Sequence, residues 1–280
     1  MNHGVLFEVT PDNIAIVTFN RPQARNALDL AAMRRFAEVV EEIAPRIAFP
    51  KDQRRYTTED PDHSEDSDSP DRVRVRAVIL TGTGRDAFCS GGDLIDLSAR
   101  PTEDDAREFI TIMGDALAQL ERLPVPVIAA VNGYALGGGS EIAAACDLRI
   151  VDEAAQMGFV QIRMALTPGW GAGQRLLRIA GYSRALAILL EGRPMGADEL
   201  LGFGLAHQVA PRGLALDVAM SFARKVAQHP PEVVAAIKRL LWAGLTEPYE
   251  AALQTERSLF PPLWASEPHL QAVEAFISRR

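Results

Sequence analysis

Residues 125 to 141 constrain the fold of this chain more than any other stretch: Val125-Pro126-Val127-Ile128-Ala129-Ala130-Val131, then Asn132-Gly133, then Gly137-Gly138-Gly139-Ser140-Glu141. A short apolar run rich in β-branched residues predicts a buried strand, and the Asn-Gly after it predicts the turn that ends the strand. The glycines open a second apolar run, Ile142 to Cys146, with the composition of a buried helix. A glycine at a helix start lets another molecule approach the bare backbone, where the first N–H groups have no intrahelical partner and point outward. Glu141 follows Gly138 by three residues, so on a helix its carboxylate lies one turn further along the same face. Backbone donors and a carboxylate are therefore expected in one pocket, suited to an anion.

The 280 residues suffice for one large domain or two small ones, and 48% hydrophobic content supplies a sizeable core. A formal net charge of −8 argues against a nucleic-acid partner, whose footprint is a basic face. The apolar runs fall short of the roughly 18 residues of a membrane span, and the first residues lack the cationic and apolar regions of a signal peptide. A cytoplasmic protein without a membrane partner is expected. Cys89 and Cys146 stand among small or apolar neighbours, where thiols are buried and inert, and the five histidines show no metal-ligand spacing.

Along the chain, Val5 to Thr10 and Ile14 to Phe19 read as a hairpin around a Pro-Asp-Asn turn. Asp29 is placed to cap an amphipathic helix over Leu30 to Ile43. From Glu59 to Asp71 there are seven acidic residues and no Lys or Arg, so an exposed insertion is expected over about 45–71. Arg72 to Thr81 reads as a strand, and Gly91-Gly92 precede a helix start that Asp93 can cap. Helical patterning covers 103–122. A strand is expected at Asp147 to Val151 and a short extended segment at Met157 to Val160, followed by a Gly-rich turn, Thr167 to Gly173, opening one helix through Leu190. From Ala197 onward the chain is expected to be helical, with breaks at Pro211, Pro230-Pro231, Pro248, Pro261-Pro262 and Pro268. Leu259, Phe260, Leu263, Trp264 and Phe276 suggest packing against another subunit as well as against their own core.

A strand, a crossover helix and a second strand imply a right-handed βαβ unit with parallel strands, so the turns carrying Gly92 and Gly138 fall on the same edge of a sheet. Two N–H groups aimed at one point make an oxyanion hole, each donor worth roughly 3–4 kcal/mol as charge develops on the bound oxygen. Ser90, Ser140 and Cys89 have no histidine in a recognisable spacing and no G-x-S-x-G elbow occurs, which disfavours a hydrolytic triad. Stabilisation of a thioester enolate remains, with Glu141 as the acid or base that handles a proton or a water. A capped or salt-bridged structural role for Glu141 is the competing reading.

Four motifs, in order and at matching spacings, resemble the crotonase, or enoyl-CoA hydratase/isomerase, superfamily. They are Asn20-Arg21-Pro22 with Asn26-Ala27-Leu28; Phe88-Cys89-Ser90-Gly91-Gly92-Asp93-Leu94; Ala130 through Gly139 with Glu141 and Cys146-Asp147; and Pro168-Gly169-Trp170-Gly171. The resemblance implies an α/β fold, a crotonase-like spiral of ββα units over 1–205, followed by a helical trimerisation region over 206–280. It implies a homo-oligomer, a trimer or a dimer of trimers, and an acyl-CoA substrate, with coenzyme A entering as part of the thioester and no permanently bound cofactor. By position the oxyanion hole falls to the backbone N–H groups of Gly92 and Gly138. Ala24, Arg25, Ala27 and Leu28 match the family's adenine and phosphate contact, with Ser90 and Asp93 assigned to the same coenzyme A contact. Phe276 and Arg279 match positions where a neighbouring subunit touches the cofactor.

One departure bears on the chemistry. Hydratases of this family use two glutamates; Glu141 matches the first and Gln161 stands at the second. An amide cannot shuttle a proton as a carboxylate does, although it can position a water or a carbonyl. Hydration of an enoyl-CoA with Glu141 as acid and base is the first expectation. Decarboxylation of an alkylmalonyl-CoA is the second, since Phe88 to Gly91 and Phe159 to Met164 also resemble the ethylmalonyl-CoA decarboxylase branch. A non-catalytic acyl-CoA binder is the third. Trp170, Met164 and Phe109 are candidates to line the acyl pocket, with a place in the core as the competing reading.

Overall fold

A computed structural model of the chain describes residues 4–47 and 74–279, and most of the acidic insertion expected at about 45–71 lies outside them. In chain order the strands are β1 (Val5–Val9), β2 (Ile14–Phe19), β3 (Ala77–Gly82), β4 (Ala87–Cys89), β5 (Val127–Val131), β6 (Tyr134–Leu136), β7 (Leu148–Asp152), β8 (Gln156–Gly158), β9 (Met195–Gly196) and β10 (Gln208–Ala210). The helices are α1 (Leu30–Ile43), α2 (Leu94–Leu97), α3 (Glu103–Arg122), α4 (Gly138–Ala145), α5 (Ala172–Ala180), α6 (Tyr182–Glu191), α7 (Ala197–Gly202), α8 (Ala215–Ala227), α9 (Pro231–Thr246), α10 (Tyr249–Trp264) and α11 (Glu267–Ile277).

Two sheets are stacked. The larger runs β1-β2-β3-β5-β7-β10 and the smaller β4-β6-β8-β9. The chain visits them alternately: β3 then β4, β5 then β6, β7 then β8, each pair followed by helix, which is the expected spiral of ββα units. β3 and β5 pair in parallel, Val78 opposite Val127, as the crossover requires. Both faces of the larger sheet are buried. Val78, Leu80, Val127, Ala129 and Val131 face the main core, which α1 and α3 close with Phe36 and Leu117. The alternate residues Ala77, Ile79, Ile128, Ala130 and Ile150 face a second layer, where Ala215, Ala219 and Ala223 of α8 lie flat on the sheet.

Three expectations are corrected. The helix expected to run unbroken to Leu190 is two helices, because Gly181 (φ 77°, ψ 165°) occupies a backbone region that only glycine visits readily. Pro261-Pro262 does not break α10: both prolines fall in its last turn, where the helix runs on to Trp264 before it ends. The last third is not wholly helical either. β10 pairs with β7 and α8 covers the sheet, so among the described residues the helices standing clear of the sheets are α9, α10 and α11. No helix of the described residues is long and apolar enough to cross a membrane.

Candidate active site

The smaller sheet builds the site. β4 and β6 lie parallel, and each runs within two residues into a glycine turn. The turns touch: a Cβ placed on Gly91 would meet the Gly138 nitrogen at 2.9 Å. Leu28 N–H donates to the Gly91 carbonyl and Asp93 N–H to the Leu28 carbonyl, both at 2.8 Å. In this parallel pairing the bridging groups belong to residues 91 and 93, so the N–H of Gly92 is turned away from Leu28. Gly138 opens α4, and its N–H has no acceptor within the helix. Glycine is required here for closeness. A Cβ on Gly138 would lie 2.1 Å from Cζ3 of Trp170, and one on Gly139 would lie 1.8 Å from the Cys89 carbonyl oxygen.

Glu141 projects from the first turn of α4 and is only 2% exposed. Its Oε1 accepts from Gln161 Nε2 at 2.8 Å and from Gly169 N–H at 3.3 Å; its Oε2 accepts from Trp170 N–H at 2.8 Å and Ala172 N–H at 3.1 Å. Four donors reach this carboxylate, none of them a charged group; the Gly169 contact at 3.3 Å is the longest of the four, so Oε1 is the less firmly held oxygen and the one with room to exchange a proton. Burial pushes its pKa above the ordinary glutamate range, and the N–H groups of Ala172, Trp170 and Gly169 and the Gln161 amide pull back against it. A buried carboxyl with a raised pKa, supported by dipoles rather than by a cation, is suited to exchanging a proton with a bound substrate or water. The other end of the Gln161 amide is unusual, because its Oε1 is buried and has no hydrogen-bond partner. A buried acceptor left unpaired costs about 1–3 kcal/mol, and such a group beside a functional carboxylate marks a place for a donor from outside the chain.

The coenzyme A candidates divide into several groups. Arg25 is exposed in a left-handed conformation (φ 52°) after the turn Pro22–Ala24, with Ala24 half-buried beside it. Ser90 holds this loop to the glycine pair, its N–H donating to the Arg25 carbonyl at 3.1 Å. Ala27 and Leu28 are buried, and Leu28 contributes its backbone to the Gly91 bridge. The Asp93 carboxylate pairs with Arg21 at 2.9 Å and caps α2 through Ile95 N–H at 3.1 Å. Burial raises its pKa, but the Arg21 guanidinium and the cap outweigh it and hold it below the usual aspartate value. Phe276, 62% exposed, and Arg279 stand at the end of α11, which packs on α10 in the outer helical layer and not among the elements of the hole. Cys89 and Cys146 are buried, and burial holds both thiols up at about 12. They are inert at neutral pH.

Comparison with known proteins fixes what this arrangement belongs to. The enoyl-CoA hydratase/isomerase family model matches residues 68–280. This chain belongs to the enoyl-CoA hydratase/isomerase family. It is 33% identical over 267 residues to the short-chain-enoyl-CoA hydratase of Clostridium acetobutylicum, covering 95% of this chain and 92% of that one. It is 34% identical over 201 residues to the ethylmalonyl-CoA decarboxylase of Gallus gallus, covering 71% and 67% respectively. The crystal structure of an enoyl-CoA hydratase from Bacillus anthracis superposes with a TM-score of 0.84 at 30% identity, covering 99% of this chain and 97% of that one. The crotonase fold and an enzyme of this family are thereby established for the chain.

Within this hydratase/isomerase fold the structure brings Gly92, Gly138, Glu141 and Gln161 together and keeps Phe276 and Arg279 apart from them. It also sorts the three large apolar candidates and adds one pair that the sequence did not single out. Trp170, expected either in an acyl pocket or in the core, is 6% exposed; its ring lies over Gly138 while its N–H holds Glu141. Met164, the second residue expected at the pocket, is exposed, and Phe109, the third, packs against the core. Arg175 and Glu121 form a buried pair directly behind the Trp170 loop. The Pro-Gly-Trp-Gly turn was visible in the sequence. That its backbone, and not its side chains, serves Glu141 was not.

Proposed function

We propose that the chain hydrates the double bond of an enoyl-CoA thioester. The supporting observation is that the Gly91-Gly92 turn touches the start of α4 at Gly138, beside a buried Glu141 that accepts from four uncharged donors; the N–H groups of Gly92 and Gly138 are assigned to the hole. The thioester oxygen sits between the two N–H donors and gains charge as the enolate forms. Water adds to Cβ while Glu141 takes its proton. The enolate then collapses, taking that proton from Glu141 at Cα, so a single carboxylate closes the cycle. The unpaired Oε1 of Gln161 accepts the second O–H of the attacking water and aims its lone pair at Cβ. The exposed loop at Ala24 and Arg25 is proposed for the coenzyme A nucleotide, with Phe276 and Arg279 supplied to a neighbouring subunit's site in a trimer or dimer of trimers.

A second reading rests on Gln161 itself. Decarboxylation of an alkylmalonyl-CoA breaks the Cα–CO2 bond, leaves its electron pair on the enolate in the same hole, and needs only one proton donor afterwards. The absence of a second carboxylate suits that reaction. The discriminating experiment is a paired assay of the purified protein with crotonyl-CoA, following loss of the enoyl absorbance, and with ethylmalonyl-CoA, following CO2 release, each repeated with Gln161→Glu. Hydration by the wild type, faster in the variant, is the expected result. CO2 release without hydration would move the assignment to decarboxylation, and inactivity on both with retained binding would make the chain a binder.

A further inference from the structure

Three of the four donors to Glu141 come from one short stretch, residues 169–172, so whatever fixes that stretch fixes the carboxylate. Its backbone is held from behind. Arg175, one turn into α5, donates from Nη1 to the Trp170 carbonyl, and a Cβ on Gly171 would lie 2.6 Å from the same Nη1, so the loop is folded against the guanidinium. The other edge of that guanidinium meets Glu121 in a two-point bridge, Nε to Oε1 at 2.8 Å and Nη2 to Oε2 at 2.7 Å. Glu121 lies in the last turn of α3, and Ile110 of the same helix packs 3.3 Å from where a Cβ of Gly169 would stand. The two side chains are 8% and 15% exposed, so the bridge is little screened by solvent. A two-point fork gives direction as well as attraction, which a lysine cannot reproduce.

We infer that Arg175 and Glu121 are a positioning pair for Glu141: they set the Trp170 and Ala172 N–H groups that hold the carboxylate, and through the Trp170 ring they set the cover over Gly138. The pair acts through the backbone and touches no reacting atom. It rests on the proposed role of Glu141 as the proton carrier. Other charges stand near the brace: Arg149 of β7 is spent on the far end of α4, at Ala143 O and Cys146 O, Arg178 of α5, Asp147 and Lys238 line the same cavity as Arg175 and Glu121, and β4 contributes Cys89, whose thiol stays protonated; among the described residues none of these charged groups bonds Glu141 or the 169–172 backbone.

The test is the pH profile of crotonyl-CoA hydration for Arg175→Lys and, as a second variant that leaves the guanidinium in place, for Glu121→Gln, with folding checked by circular dichroism. Loosened N–H donors favour the charged carboxylate less, so its pKa rises and the acid limb moves to higher pH. The expected result in either folded variant is a limb raised by about half a unit or more, kcat reduced about 10–100-fold, and KM within about three-fold of wild type. A folded variant with a lower melting temperature but an unmoved limb and unchanged kcat would overturn the inference. If Glu141→Gln itself retained full turnover, the proton-carrier reading would fall first, which separates the two failures.

Discussion

Glu141 and Gln161 behave as one unit because the ionisation of the first sets the orientation of the second. With Glu141 charged, Gln161 must present its NH2 to Oε1 and turn its own Oε1 away, unpaired. In Glu141→Gln, the new amide can keep its oxygen on Trp170 and Ala172 and point its NH2 at Gln161, whose amide turns over to accept; only the 3.3 Å contact from Gly169 is lost. The variant is therefore expected to fold and to lose only about 0.5–1.5 kcal/mol at low pH, measured by denaturant unfolding. The folded-state pKa of Glu141 is raised, so the native state holds its proton longer than the unfolded chain, and the wild type loses stability as pH rises from the ordinary glutamate value through the raised one. The stability difference should move toward the variant across that window. At this scale the sequence was informative where the residue type mattered, as with Gly138 and Glu141, and silent where backbone N–H groups did the work, since every residue but proline carries one.

α4 is the element on which the site depends, and both its ends are specified. Its N-terminus opens on the glycines; its C-terminus is capped by Arg149, a buried cation that donates to Cys146 O at 2.7 Å, to Ala143 O at 3.4 Å and to Leu205 O at 2.6 Å. Burial lowers the pKa of this guanidinium, with Cys146 and Asp147 pulling back only in part, and the negative end of the helix favours a cation at this place. Replacing it by methionine strands three carbonyls, so Arg149→Met is expected to cost about 3 kcal/mol or more in urea unfolding; a loss below about 1 kcal/mol would show that water replaces the cap. The elements that the sequence revealed are those long enough to carry a period: β2, α1, α3 with its Thr102–Asp105 capping box, and the β5 run. Of the smaller sheet only the extended segment at β8 was legible, because β4, β6 and β8 have three residues each and β9 has two. Such strands are defined by their neighbours, not by their own alternation.

In the whole molecule, two stacked sheets bring distant turns together. β3 and β5 set the parallel frame, the smaller sheet copies it, and the Gly91-Gly92 turn meets Gly138 through Gly91 across the β4–β6 pair. This much followed from a strand–helix–strand pattern with glycines at both carboxyl ends; the second sheet that makes the contact, and the Arg175–Glu121 brace 54 residues apart in sequence, required the folded chain. Phe260, Trp264 and Phe276 leave the outer helices with large exposed rings. The measurement that bears most directly on the central claim is the pH dependence of kcat/KM for crotonyl-CoA hydration by the wild type and by folded Glu141→Gln. The expected result is an acid limb above the ordinary glutamate pKa in the wild type and a loss of at least about 10²-fold in the variant with no such limb. Equal rates in the two proteins, or a limb that survives the substitution, would contradict the assignment of Glu141 as the group that carries the proton.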